Sequence, residues 1–132
     1  MNRSILLLPS LTAALAFQVY AHHSFDAEFD RNKPATLRGS VTKFDLINPH
    51  GWIYLDGTDE TGKPGKWSAE TGNVSSLLRR GWKKDSLKPG TEVIIEGSRA
   101  KDGSNTINVR SVKLPDGRTL FSGTAPEGEP AK

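Results

Sequence analysis

Cysteine is absent from the chain. That excludes disulfide staples, a thiolate nucleophile and a thiolate metal ligand, so the fold must hold itself together through its core alone. Histidine is nearly absent too, with three in 132 residues. Lysines and arginines are interspersed with acids, and the formal net charge is only +3. No basic block or stripe offers a nucleic-acid footprint. There is no glycine-rich phosphate loop and no serine–histidine–aspartate set in a recognisable frame. These gaps favour a binding protein over an enzyme. A second long hydrophobic run is also missing, which predicts a soluble chain once the first is removed.

That first run is at the amino terminus. Arg3 opens the chain, and an apolar stretch from Ile5 to Phe17 follows, broken by Pro9, Ser10 and Thr12. Val19 and Ala21 then stand as small residues at the −3 and −1 positions of a cleavage site. The layout predicts a signal peptide over residues 1–21 and a periplasmic or secreted product. A membrane anchor is the alternative, but the run falls short of the roughly 18–20 apolar residues that a bilayer needs. Cleavage after Ala21 would make His22 the first residue. Removing 21 of 132 residues leaves 111, enough for one small domain and one core.

Residues 22–35 read as an N-terminal arm. Phe25, Ala27 and Phe29 alternate with Asp26, Glu28 and Asp30, which predicts an extended segment, or else a single helical turn pairing the two phenylalanines. Residues 36–46 predict a long first strand. Leu37 and Val41 share one face while Phe44 and Leu46 share the other, and that change of phase, with Gly39 inside the strand, predicts a bulge or bend. The run N-P-H is a turn, G-W-I-Y-L-D a second strand and K-W-S-A-E a third. Asn73 as cap, Arg79 and Arg80 in the last turn and Gly81 as stop predict a short helix over residues 73–80. Strands over 91–97 and 106–114 follow, then a short G-R-T-L-F strand, and a tail over 122–132 whose Pro, Gly and Glu predict disorder. The order strand, strand, strand, helix, strand, strand predicts a mainly β, OB-fold-like, five-stranded Greek-key barrel over residues 36–121. A small sandwich or another small barrel is the competing arrangement.

Four motifs carry a resemblance: A-H-H-S-F at 21–25, N-P-H-x-W at 48–52, W-x-x-E at 67–70 and G-W-x-x-x-S-L-x-x-G at 81–90. Together they resemble a family of small exported bacterial proteins catalogued as a domain of unknown function. The resemblance implies export and a single β domain. It implies no activity.

The chemistry must therefore come from the residues. A free N-terminal histidine chelates through its α-amino nitrogen and its own imidazole, and the amine, with an unperturbed pKa of about 8, yields its proton to a competing metal. A second imidazole completes a T-shaped set of three nitrogens, a histidine brace. Planar nitrogen ligation suits Cu(II), which also tops the divalent affinity order. His22 supplies two donors on this reading and His50 the third. In a variant, His23 serves through its imidazole with the amine and the intervening amide nitrogen. Glu70 is a candidate oxygen ligand, or a residue that orients a histidine from behind. His50, Trp52 and Tyr54 alternate and so share one side of strand two, with Ile53 and Leu55 on the other. The plainer readings are a turn-filling His50, a loose N-terminus, and tryptophans that serve the core. The rival function is a metal-free module whose Trp52, Tyr54 and Trp67 face takes a glycan, a peptide or an envelope protein. A structural accessory in an envelope assembly is the third.

Overall fold

The computed structural model describes residues 25–122. The segment expected to be a signal peptide, His22 and His23, and residues 123–132 of the expected tail all lie outside the described residues.

The arm begins with the helical turn rather than the extended alternative. Helix α1 (Phe25–Glu28) sets the Phe25 and Phe29 ring centroids 5.7 Å apart. The Arg31 guanidinium lies 4.3 Å over the Phe25 ring while its Nε donates to Asp26 at 2.8 Å. Strand β1 (Phe29–Leu46) then starts well before residue 36, inside the segment read as arm.

The change of phase in β1 is a bulge. Leu37 and Val41 are buried, and the register against strand β2 (His50–Thr58) shifts between Val41 and Lys43. One extra residue reverses the side-chain parity, so Phe44 and Leu46 pack against the core from what would otherwise be the outer face. Gly39 is not the bulge. It is paired with Gly57, and a Cβ there would overlap the Asp56 carbonyl oxygen. Glycine is needed at that position because two backbones touch.

Strands β3 (Pro64–Asn73), β4 (Glu92–Ala100), β5 (Thr106–Lys113) and β6 (Thr119–Phe121) complete the chain. The protein is mainly β, with one six-stranded sheet in the order β3-β2-β1-β4-β5-β6 whose successive neighbours are antiparallel. In addition β3 pairs in parallel with β5 through Ser68–Glu70 and Thr106–Asn108. Ile53 and Leu55 point into the core with Leu37, Ala69, Ile95 and Val109.

Helix α2 (Val74–Arg79) lies between β3 and β4. The Asn73 side chain caps it by accepting from the Ser76 amide at 2.8 Å, and Gly81 takes φ +91° just beyond it, both as the sequence predicts. Leu77 and Trp82 are fully buried, and the Trp82 Nε1–H donates to the Phe121 carbonyl at 3.1 Å. Ser122, assigned to the tail by composition, is buried: its Oγ accepts from the Gly72 amide at 2.7 Å. Among the described residues no helix is long and apolar enough to cross a membrane.

A charged clasp holds the β2–β3 loop. Arg99 of β4 lies 5.5 Å over the Trp67 ring and donates to Asp59 at 3.0 Å and Glu60 at 2.7 Å. The Thr61 hydroxyl, then other donors including Arg99, hold Asp59 below the usual aspartate range, and chiefly Arg99 holds Glu60 below the usual glutamate range. Depressed carboxylates contribute stability above their unfolded pKa values, and that contribution is lost as pH falls through the lower folded values. Arg99→Ala should lower the melting temperature at pH 7 by a few degrees, since it removes the donor that Asp59 and Glu60 share. The gap between variant and parent should begin to narrow as pH falls below about 4, where carboxylates of the unfolded chain protonate, and should close as pH falls through the lower folded values. Melts followed by circular dichroism at both pH values check this.

Candidate functional site

The turn before β2 positions the site. The Asn48–Pro49 bond is cis, and the Pro49 carbonyl accepts from the Val74 amide at 3.2 Å, tying this turn to the start of α2. His50 follows at once as the first residue of β2. Trp52 and Tyr54 continue the same side of the strand, half-buried, while Gly51, Ile53 and Leu55 are buried. Glu70 is paired across the sheet with Trp52 on one side and Asn108 on the other. Residues directly opposite in a ladder project to the same face, so Glu70 shares the side of Trp52.

On that side the Glu70 carboxylate contacts His50 Nδ1. The two side chains differ sharply in exposure, at 34% for His50 and 8% for Glu70. The pair therefore has a buried carboxylate behind an imidazole that reaches solvent.

The solvent is that of a cleft of about 710 Å³. His50, Trp52 and Glu70 line one side, together with Pro49. The β4–β5 turn lines another through Lys101, Asp102 and Ser104, with Thr106 of β5 beyond it. Gly103 makes that turn at φ +78°, and the Asp102 side chain accepts from the Ser104 amide at 2.9 Å; the Ser104 hydroxyl first, and then this amide, hold the aspartate below its usual range. The third side is α1 and the start of β1: Ala27, Glu28 and Phe29. The Lys101 amide donates to the Glu28 carbonyl at 2.8 Å, and the Lys101 ammonium contacts the Asp26 carbonyl, so this turn and α1 are joined at the rim.

The structure thus brings together three of the residues singled out from sequence, His50, Trp52 and Glu70. Tyr54 sits next to them, with its ring 6.5 Å from Trp52 and tilted by 21°. The Lys43 ammonium lies 5.7 Å from the Tyr54 ring and bridges to Asp45 at 2.6 Å, which raises its pKa. His22 and His23 lie outside the described residues. Trp67 does not belong to the aromatic face. It faces the core at 5% exposure, because odd-numbered residues of β3 point inward with Ala69. Sequence reasoning missed the contribution of α1. The alternation in residues 25–30 marked a segment lying on the body, but nothing in it told which part of the body. Among the described residues no group of three His, Cys, Asp or Glu could hold a metal ion by itself.

The profile of a family described as a family of unknown function (DUF6152) matches residues 11–109, and the chain belongs to that family. No curated protein and no solved structure gives a significant match.

Proposed function

We propose that this member of a family of unknown function is an exported, soluble binding protein that holds one Cu(II) through the amine and imidazole of His22 and the imidazole of His50, for storage, delivery or sensing. The observation that carries the reading is that α1 and the start of β1 border the cleft onto which His50 opens. Ala27, Glu28 and Phe29 line the same cleft as His50. Only three peptide units separate Phe25 from His22, a span of at most about 11 Å between Cα atoms. A mature terminus at His22 is thereby tethered to the part of the molecule that presents His50. His50 alone is too few donors for a tight site, and an N-terminal histidine adds two nitrogens at once. The His23 variant draws on the same tether.

We read β1 to β5 as an OB-fold-like Greek-key barrel, with α2 between its third and fourth strands. The parallel β3–β5 pairing supports closure. In such a fold the turns after the first and fourth strands border the ligand face, and Pro49–His50 and Lys101–Ser104 are those turns. The compartment is periplasmic or secreted, after removal of residues 1–21.

One observation favours a second reading. The near-parallel Trp52 and Tyr54 rings would suit a metal-free module for a glycan, a peptide or an envelope protein. Trp67, buried in the core, is not part of such a face.

Intact-mass and metal analysis of the protein recovered from the exporting cell tests the first reading. The expected result is a chain that starts at His22 with one copper per molecule. An uncleaved, membrane-held chain, or a terminus at another residue, would remove the amine from the site and overturn it.

A further inference from the structure

The geometry points to Glu70 as the positioning residue that fixes His50 for metal binding, by accepting a hydrogen bond from Nδ1–H and leaving Nε2 as the one free nitrogen of the ring. The inference rests on the copper reading and gives that site its ligand atom. Carboxylates are almost never buried without a partner. The Glu70 side chain is 8% exposed and in contact with His50 Nδ1, while the His50 side chain is one-third exposed on the cleft. The buried edge of the ring is thus its Nδ1 edge.

A neutral imidazole carries one proton, and the hydrogen bond made by one nitrogen decides the state of the other. A carboxylate can only accept. Nδ1 therefore keeps its hydrogen, and the lone pair is on Nε2. The same carboxylate makes the ring a better donor and prevents it from rotating. Glu70 is itself held from two sides, since its backbone is paired with Trp52 of β2 and Asn108 of β5. His50 is held by the turn bond from Pro49 to Val74. An ion on Nε2 would lie across the ring from the bound carboxylate oxygen. Glu70 is therefore not a ligand to that ion, and its role is to hold and tune the histidine.

Two measurements test this. Nitrogen-15 NMR of the metal-free protein at about pH 8, above the usual histidine range, reads the His50 tautomer. The expected state is protonated Nδ1 with unprotonated Nε2. Cu(II) titration then compares the native protein with Glu70→Ala and Glu70→Gln. The alanine variant should lose roughly 10- to 100-fold in affinity. The glutamine variant, whose side-chain oxygen can still accept from Nδ1, should retain the tautomer and most of the affinity, even if the alanine variant folds poorly. An Nε2–H tautomer in the native protein, or a ring protonated on both nitrogens, overturns the role of Glu70. So does copper uptake that is the same in Glu70→Ala and the native protein. A native protein that takes up no Cu(II) overturns the copper reading itself.

Discussion

His50→Ala should weaken Cu(II) binding by more than about 100-fold, beyond the 10- to 100-fold that loss of a supporting partner behind a metal ligand costs. The proposed site has three nitrogen donors, and His50 is the one donor supplied by the folded body. Without it, His22 keeps an amine and an imidazole on a terminus that no longer meets the cleft through the metal. The substitution also strands Glu70, which is buried and in contact with His50. An unpaired buried carboxylate is expensive, by about 1–3 kcal/mol or more, so the variant should also melt at a lower temperature. Affinity is therefore to be compared where circular dichroism shows both proteins folded. A variant that melts early yet binds copper as tightly as its parent would assign His50 a structural role only.

The largest loss of stability should come from Trp82→Ala. Trp82 is 1% exposed, its ring centroid lies 5.6 Å from that of Phe44, and its indole donates to the Phe121 carbonyl. It thus links the strand end after the β1 bulge, α2 and β6. Truncating a buried tryptophan costs about 3–5 kcal/mol through lost burial and the cavity left behind. Against a typical total of about 5–15 kcal/mol, that takes away a large part of the stability. Urea unfolding followed by circular dichroism should show the midpoint falling sharply. Trp82→Phe separates the causes: the ring contact with Phe44 is largely kept, and the Phe121 carbonyl loses its donor, so the loss should be the smaller one. Equal losses for both variants would mean that the hydrogen bond, not the packing, holds this end of the molecule.

Trp82 also shows what kind of information the sequence carries. Its position just beyond a helix stop was readable, because Asn73 and Gly81 act through local backbone chemistry that needs no tertiary context. The β1 bulge was readable for a similar reason: the parity of Leu37 and Val41 against Phe44 and Leu46 cannot be met by a regular strand. The function of Gly39 was not readable. A glycine that bends a strand and one that lets two backbones touch look alike until Gly57 is seen across from it. The start of β1 at Phe29 was missed because Asp30, Arg31, Asn32 and Lys33 are polar, the register against β4 shifts between Asp30 and Pro34, and the β4 partners of Phe29 and Asp30 are some seventy residues away in the chain. At the site, alternation put His50 beside Trp52 and Tyr54, and the W-x-x-E motif singled out Glu70. That Glu70 contacts His50 depends on the register of β2 against β3, which the sequence does not print. Trp67 was grouped with the aromatic face because residue type was weighed before parity, and its inward side follows from Ala69 sharing its phase.

The central claim is that an amine at the terminus and an imidazole on β2 share one ion. Calorimetric Cu(II) titration at neutral pH of three proteins tests it: the chain beginning at His22, the same chain with one residue added ahead of His22, and His50→Ala. The added residue turns the chelating amine into an amide and moves the new amine out of place, while every side chain remains. The account predicts one tight site in the first protein, and losses of similar size in the other two. Equal affinity in all three would contradict it.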